Sequence, residues 1–405
     1  MPTVAARLIL VLGLILAGCG VERSPAPSTT AGESAAPSAS GAPALHTFAD
    51  EELYHPSAEA VAAAAPGEII ESVEIGSTPG TRAWFVVYGS TGLDGEPVAV
   101  SGIILAPEAP PAAGDAYPIV AWAHGTTGIA DDCSPSHGGV GSLAPLLELA
   151  ADGYVVTATD YEGLGTDGIH PYLVGISEGR SVLDSIRAAM GLPDAHAGTE
   201  SVAIGFSQGG HATLWAAELQ PTYAPDLSVL GAFAASPPTD LYGLEKWAFE
   251  EAADGNVDAA APMMLMFGAW NVIYDARLDF LTDTGQALAI AAPAGCFPTM
   301  PSATPYHSDP AGLLAWRELL AANSPGAART DVPIRVVSPE GDESVDYDTQ
   351  VAGVAVMCAM GDTVELVTVP GGHDASIRPP SAWAGAITWI GDRFAGVPAI
   401  STCAS

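Results

Sequence analysis

The chain has 405 residues, with 47 acidic against 12 basic side chains, for a formal charge of −35 at pH 7. So negative a surface argues against nucleic acid and anionic membrane surfaces as partners. Hydrophobic residues make up 48% of the chain, enough for a sizeable core.

The N-terminus, "MPTVAARLILVLGLILAGCG", has a positive charge at Arg7 followed by an apolar run from Leu8 to Ala17. That run is too short to cross a bilayer and reads as a signal peptide over residues 1–18. Its end, Leu16-Ala17-Gly18-Cys19, resembles the lipobox of bacterial lipoproteins, where the cysteine after the cut carries the lipid. An exported protein held on the cell membrane through Cys19 is therefore expected. Residues 19–45, rich in Ser, Ala and Pro, have little to bury and read as a disordered tether. A single domain is expected over 46–405.

Within that domain "EIIESVEI", "RAWFVVYG" and "VAVSGIILAP" lie close together and are joined by turn signals, which predicts an antiparallel start. "YPIVAWAHG", "GYVVTATDY", "SVAIGFS", "LSVLGAFAAS", "VPIRVVSPEG" and "TVELVTVPGG" follow, mostly separated by helical patterns. Such spacing predicts parallel crossovers, and the order is that of an α/β-hydrolase: a mostly parallel sheet with helices on both faces. About a hundred residues between "LSVLGAFAAS" and "VPIRVVSPEG" are too many for a loop. They predict an inserted helical cap over about 237–329. Inside it, Met263 to Tyr274 is dense in apolar side chains, as either helix core or the wall of an acyl tunnel.

Two stretches fit G-x-S-x-G, a cheap pattern in a chain with 45 glycines. Ser207 sits between a β-rich run and a helical pattern, as a nucleophile on a sharp strand-to-helix turn requires. Ser177 follows a stretch broken by Gly168 and Pro171, and reads as a helix N-cap. A serine needs a base, and the base an orienting acid, in the chain order Ser, acid, His. Of the histidines after Ser207, His211 lies on the same helix and His307 in the insertion. His373, in the loop after the last strand, is the expected base. Asp342 follows the strand "VPIRVVSPEG" and is the expected acid, with Glu340, Glu343 and Asp346 as rivals; Asp374 reads as a solvated loop residue. Gln208 supplies one oxyanion N–H. A second comes from "AHGTTG" (His124 to Gly128) or from "TDYEGLG", which contains Asp160.

In this order, "AWAHGTTG", "TDYEGLG", "GFSQGGH", "SPEGDESV" and "PGGHD" resemble the secretory lipase family of the fungal lipase-A type, with the likeness covering about Leu53 to Cys403. The resemblance implies an α/β-hydrolase with a helical cap between the sixth and seventh core strands, acting on carboxylic esters including acylglycerols. It implies the triad Ser207, Asp342 and His373, and Asp160 with Gln208 as the oxyanion pair.

Cys133, Cys296, Cys358 and Cys403 remain after Cys19, an even number that predicts two disulfides in an exported chain. The pairing Cys133 with Cys296 and Cys358 with Cys403 is favoured, because the second would fasten the C-terminal tail. Their spacing is not that of a zinc site, and neither metal nor cofactor is expected. Two rival readings stand beside the lipase or esterase: a peptidase on the same fold, and a surface binding lipoprotein without catalysis.

Overall fold

The computed structural model describes residues 51–403 apart from Ser77 and residues 309–311. The leader, Cys19 and the tether lie outside the described residues. The chain enters through α1 (Ala58–Ala63), where the Ser57 hydroxyl accepts the Ala60 N–H. It then forms the antiparallel strands β1 (Ile69–Gly76), β2 (Thr81–Thr91) and β3 (Pro97–Pro107).

β4 (Tyr117–Ala123) is set one place away from β3. The chain returns through α2 (Leu147–Ala151) to lay β5 (Val155–Thr159) in the gap, antiparallel to β3 and parallel to β4. It then runs through α3 (Gly175–Gly191) to β6 (Ala197–Phe206), on the other side of β4. Next come α4 (Gln208–Tyr223) and β7 (Ser228–Ala235). Sheet order among the described residues is β1-β2-β3-β5-β4-β6-β7-β8-β9, with every pair from β5 onward parallel. β5 and β6 flank β4 from opposite sides, so the sheet's switch point, where α/β folds bind ligands, lies at the C-terminal ends of β4 and β6.

The fold is the expected α/β-hydrolase. Central strands are continuous apolar runs because both faces are covered. One face carries Val182, Leu183 and Ile186 of α3 with Leu214 of α4. The other carries Leu149 of α2 and the neighbouring Leu143 and Leu146.

The helix expected to carry Ser177 as its cap is α3, which leads into β6, but Ser177 does not cap it. Val174 precedes the helix, and Ser177 lies in its first turn with its hydroxyl donating to the Glu162 carboxylate. The pull of this half-buried acceptor, 15 residues upstream, is not written in the local sequence.

Between β7 and β8 (Ile334–Pro339) the chain forms α5 (Leu241–Ala253), α6 (Ala261–Ile273), α7 (Asp283–Ala291) and α8 (Leu313–Ala322). Here Met263, Met264, Leu265, Met266, Phe267 and Trp270 are at most 2% exposed. Trp270 stacks on Trp316 at 5.8 Å, and the Phe267 ring meets Phe280 and Trp316 edge-on at 4.9 Å. The segment forms the centre of its own core, which decides between core and tunnel wall in favour of core. The chain closes with α9 (Tyr347–Met360), β9 (Val364–Val369) and α10 (Pro380–Phe394). Trp389 and Ile390 of α10 join Leu149 of α2 in the core under that face of the sheet.

Cys133 pairs with Cys296 and Cys358 with Cys403. The first ties the inserted segment to the loops after β4. A Cβ on Gly128, whose φ is +134°, would come within 2.4 Å of the Cys296 carbonyl and 2.7 Å of the Cys133 sulfur, so this approach requires glycine. No helix among the described residues is long and apolar enough to cross a membrane.

Truncating the centre of the inserted core should cost heavily. Met264→Ala is expected to lower stability by about 2–5 kcal/mol in denaturant titration, and a loss below about 0.5 kcal/mol would place Met264 in a loosely packed region.

Candidate active site

Ser207 stands between the last residue of β6 and the first of α4, with φ 57° and ψ −118°. A serine is held there only when its surroundings over-determine the backbone. Two close approaches do so. A Cβ on Gly205 would lie 2.0 Å from the Gly209 carbonyl oxygen, and one on Gly209 would lie 1.9 Å from that of Ala123. Strand and helix therefore meet with no room for side chains, and the turn between them projects the serine into the pocket it lines. The Ser207 N–H donates to the Ala235 carbonyl at 2.8 Å, which ties the turn to β7.

Asp342 follows β8 and is 7% exposed. Its carboxylate accepts the N–H of Ser344 and Val345 at 3.0 and 2.8 Å and the Gln350 amide at 3.0 Å. His373 follows β9, and its Nδ1 lies 2.9 Å from both Asp342 oxygens. With Nδ1–H donated to a carboxylate, Nε2 is left as the basic nitrogen. The imidazole lies against the ring of Phe206, the residue before Ser207, at 4.8 Å between centroids. Ser207 and His373 line one pocket.

The rival residues have other partners. Glu343 accepts the His373 backbone N–H at 3.0 Å, Asp346 caps α9 through the Thr349 N–H, and Asp374 pairs with Arg378. Glu340 is exposed. His307 is an exposed residue of the insertion.

Asp160 is 1% exposed and lines the same pocket. Its backbone N–H donates to the Ser101 carbonyl at 2.9 Å. Its carboxyl oxygens face donors, the Ser101 hydroxyl at 2.7 Å and the Ser136 N–H at 3.0 Å. Its N–H is thus held by β3 and its carboxyl by these two donors. The Gln208 N–H is free of intrahelical partners, as the first N–H groups of a helix are.

A buried polar network beneath Ser207 was not legible in the sequence. The Gln208 side-chain amide donates to Glu178 Oε1 and to His170 Nε2, both at 2.8 Å. His170 Nδ1 faces the Glu162 carbonyl and must donate to it, which leaves Nε2 as the acceptor. Burial pushes the His170 pKa down to about 4, so its imidazole is neutral at pH 7. His211, fully buried, meets Glu178 Oε2 through Nδ1 and the Asn323 carbonyl through Nε2, each at 2.7 Å. The one available signal was Glu178 and His211 themselves, polar residues at the start of helices with apolar faces.

Among solved structures, Candida antarctica lipase A superimposes with a TM-score of 0.72 over 87% of this chain and 88% of that one, at 20% identity; at that identity the likeness concerns the fold. Residues 141–276 match the secretory lipase family. The chain is a relative of the secretory lipases. The secreted triacylglycerol lipase LIP4 of Malassezia furfur is 30% identical over 243 residues, 56% of this chain and 44% of that protein. A probable inactive lipase of Mycobacterium tuberculosis is 32% identical over 214 residues, 47% of this chain and 46% of that one. The chain thus matches less than half the length of these secretory lipase relatives.

Burial raises the Glu162 pKa to about 7, and the Ser177 hydroxyl bond only partly offsets that. Between the unfolded value of about 4.5 and 7 the folded state keeps a proton that the unfolded state has released, so this group's contribution to stability falls as pH rises through that window. Glu162→Gln keeps an acceptor for Ser177 and abolishes the titration. Its melting temperature relative to wild type should increase from pH 4.5 to 7.5, and a difference independent of pH would contradict the shift.

Proposed function

We propose that this protein is an exported serine ester hydrolase of the lipase or esterase type, with Ser207 as nucleophile, His373 as base and Asp342 as orienting acid. The observation that carries the reading is that His373, hydrogen-bonded to Asp342, lines one pocket with a serine on a strained strand-to-helix turn. His373 Nε2 takes the proton of Ser207 as its oxygen attacks the ester carbonyl, while Asp342 stabilises the imidazolium. Charge on the former carbonyl oxygen is met by the Gln208 N–H, with Asp160 lining the same pocket. The tetrahedral intermediate collapses as His373 gives its proton to the leaving alcohol. A water, deprotonated by the same imidazole, then releases the acid and frees Ser207.

Acylglycerols are the proposed substrate class, in keeping with the name of the Malassezia furfur relative. The helices between β7 and β8 are proposed to act as a cap over the pocket. Export is in keeping with the secreted relative, and anchoring through Cys19 completes the reading.

Ser207→Ala and His373→Ala are each expected to lower kcat on p-nitrophenyl butyrate by at least about 10³-fold, with the fold kept by circular dichroism. A fluorophosphonate should label wild type and not Ser207→Ala. Label on Ser177 instead, or hydrolysis of peptide anilides and not esters, would overturn the assignment; a full-length protein that takes no label would favour a non-catalytic binding protein.

Cys19→Ala should move the mature protein from the membrane fraction to the soluble fraction. Mass spectrometry finding an unmodified mature N-terminus in wild type would reject the anchor.

A further inference from the structure

The insertion's apolar helices are packed on themselves, and they give the cavity beside Ser207 little of its lining. A cavity of about 1020 Å³ opens from Ser207 and His373, at the upper end of the range of ligand sites. From the inserted segment it takes Pro262 and Phe297. Most of the rest of its lining comes from Ile103 in the middle of β3, the ends of β4 and β5, the Pro135–Leu146 stretch and α10. Leu143 and Leu146 form one wall and Trp383 and Ile387 the other. The Trp122 indole meets that of Trp383 edge-on at 6.4 Å across the floor.

The polar lining includes His124, Thr126, Thr127 and Ser136. Asp160, Ser207 and His373 lie at the reacting end, and the exposed Glu148, Asp374 and Arg378 mark the rim. The stretch between Leu143 and Leu146 on one side and Trp383 and Ile387 on the other is aliphatic and indole, which suits an unbranched chain.

We infer that this groove between residues 135–146 and α10 binds a hydrocarbon chain of the ester, and that α10 sets which chain lengths are accepted. The inference rests on the ester-hydrolase reading above and adds the location of its chain site. Each methylene that enters such a groove strengthens binding about fourfold, so long-chain esters are favoured until the groove is filled. The chain can come from the acyl or from the alcohol side of the ester, since both meet at the Ser207 oxygen.

Ala384 is the position from which to test this. It lines the groove on α10 yet is exposed, so a larger side chain there enters the groove without repacking the core. In Ala384→Trp the ratio of kcat/KM for p-nitrophenyl decanoate to that for p-nitrophenyl acetate is expected to fall at least tenfold if the acyl chain occupies the groove. The ratio for decyl acetate to ethyl acetate falls by as much if the alcohol chain does. A loss in either series supports the groove, and both ratios staying within twofold of wild type overturns it. Ala384→Leu, a smaller change, serves if the tryptophan variant does not fold. Calorimetric binding of n-decanol to the full chain separates this inference from the hydrolase reading. Its Kd should weaken at least tenfold in Ala384→Trp, and an unchanged Kd overturns the groove. A wild type that takes no fluorophosphonate and cleaves none of the esters sinks the catalytic reading instead, and the decanol result still decides the groove.

Discussion

The site depends on how closely the first turn of α4 approaches the end of β4. With Gly209 against the Ala123 carbonyl and Gly205 against Gly209, the chain between β6 and α4 has no conformation open to it but a tight reversal. Ser207 occupies the left-handed region at its apex. Strain of this kind costs on the order of 1–3 kcal/mol and persists because the sheet below and the helix behind are both rigid. The same approach puts the loop after β4 beside the turn. A Cβ on Gly125 would touch the Phe206 ring at 3.0 Å, so the His124–Gly128 loop, Ser207 and the Phe206 ring that supports His373 are set by one contact region.

Behind the turn a second constraint operates on polar terms. Glu178 from α3, Gln208 and His211 from α4, His170 from the preceding loop and Asn323 after α8 meet in a space closed to water. Burying such groups yields little net stability, but leaving one unpaired is costly. The network therefore specifies one arrangement of these segments. It fixes the side chain of Gln208, the residue after Ser207, and it joins the end of the inserted helices to α4. The Trp215 indole adds a further bond to the Asn323 carbonyl at 3.1 Å.

Apolar surface is divided between two uses. The inserted segment spends its methionines and aromatics on internal packing, where flexible Met side chains fill the gaps between Trp270, Trp316 and Phe267. A helical layer without a sheet beneath it needs such a core of its own to hold a shape. The cavity beside Ser207 is bounded instead by the sheet's edge residues and by α10, which are anchored in the main core through Trp389 and Ile390.

Strand order, the two-sided burial of the central strands and the helical insertion are legible in the sequence because they follow from periodicity and from chain length between turn signals. So is the setting of Ser207, because the elbow is made by neighbours in sequence. Asp342 and His373 are legible as strand-end residues, since the fold delivers the C-terminal ends of its parallel strands to the same edge. The sequence carries no comparable mark for contacts across long separations. The serine of the second G-x-S-x-G pattern turned from cap to hydrogen-bond donor because Glu162 is folded beneath it. The Asp160 N–H proved to be committed to Ser101, 59 residues upstream. The methionine-rich run could be core or pocket wall until the surrounding helices closed on it. Local propensity and hydrophobic pattern act within a few residues of one another, whereas the partner of a buried polar group and the boundary of a cavity depend on which distant segments are packed against it, and only the tertiary structure decides that.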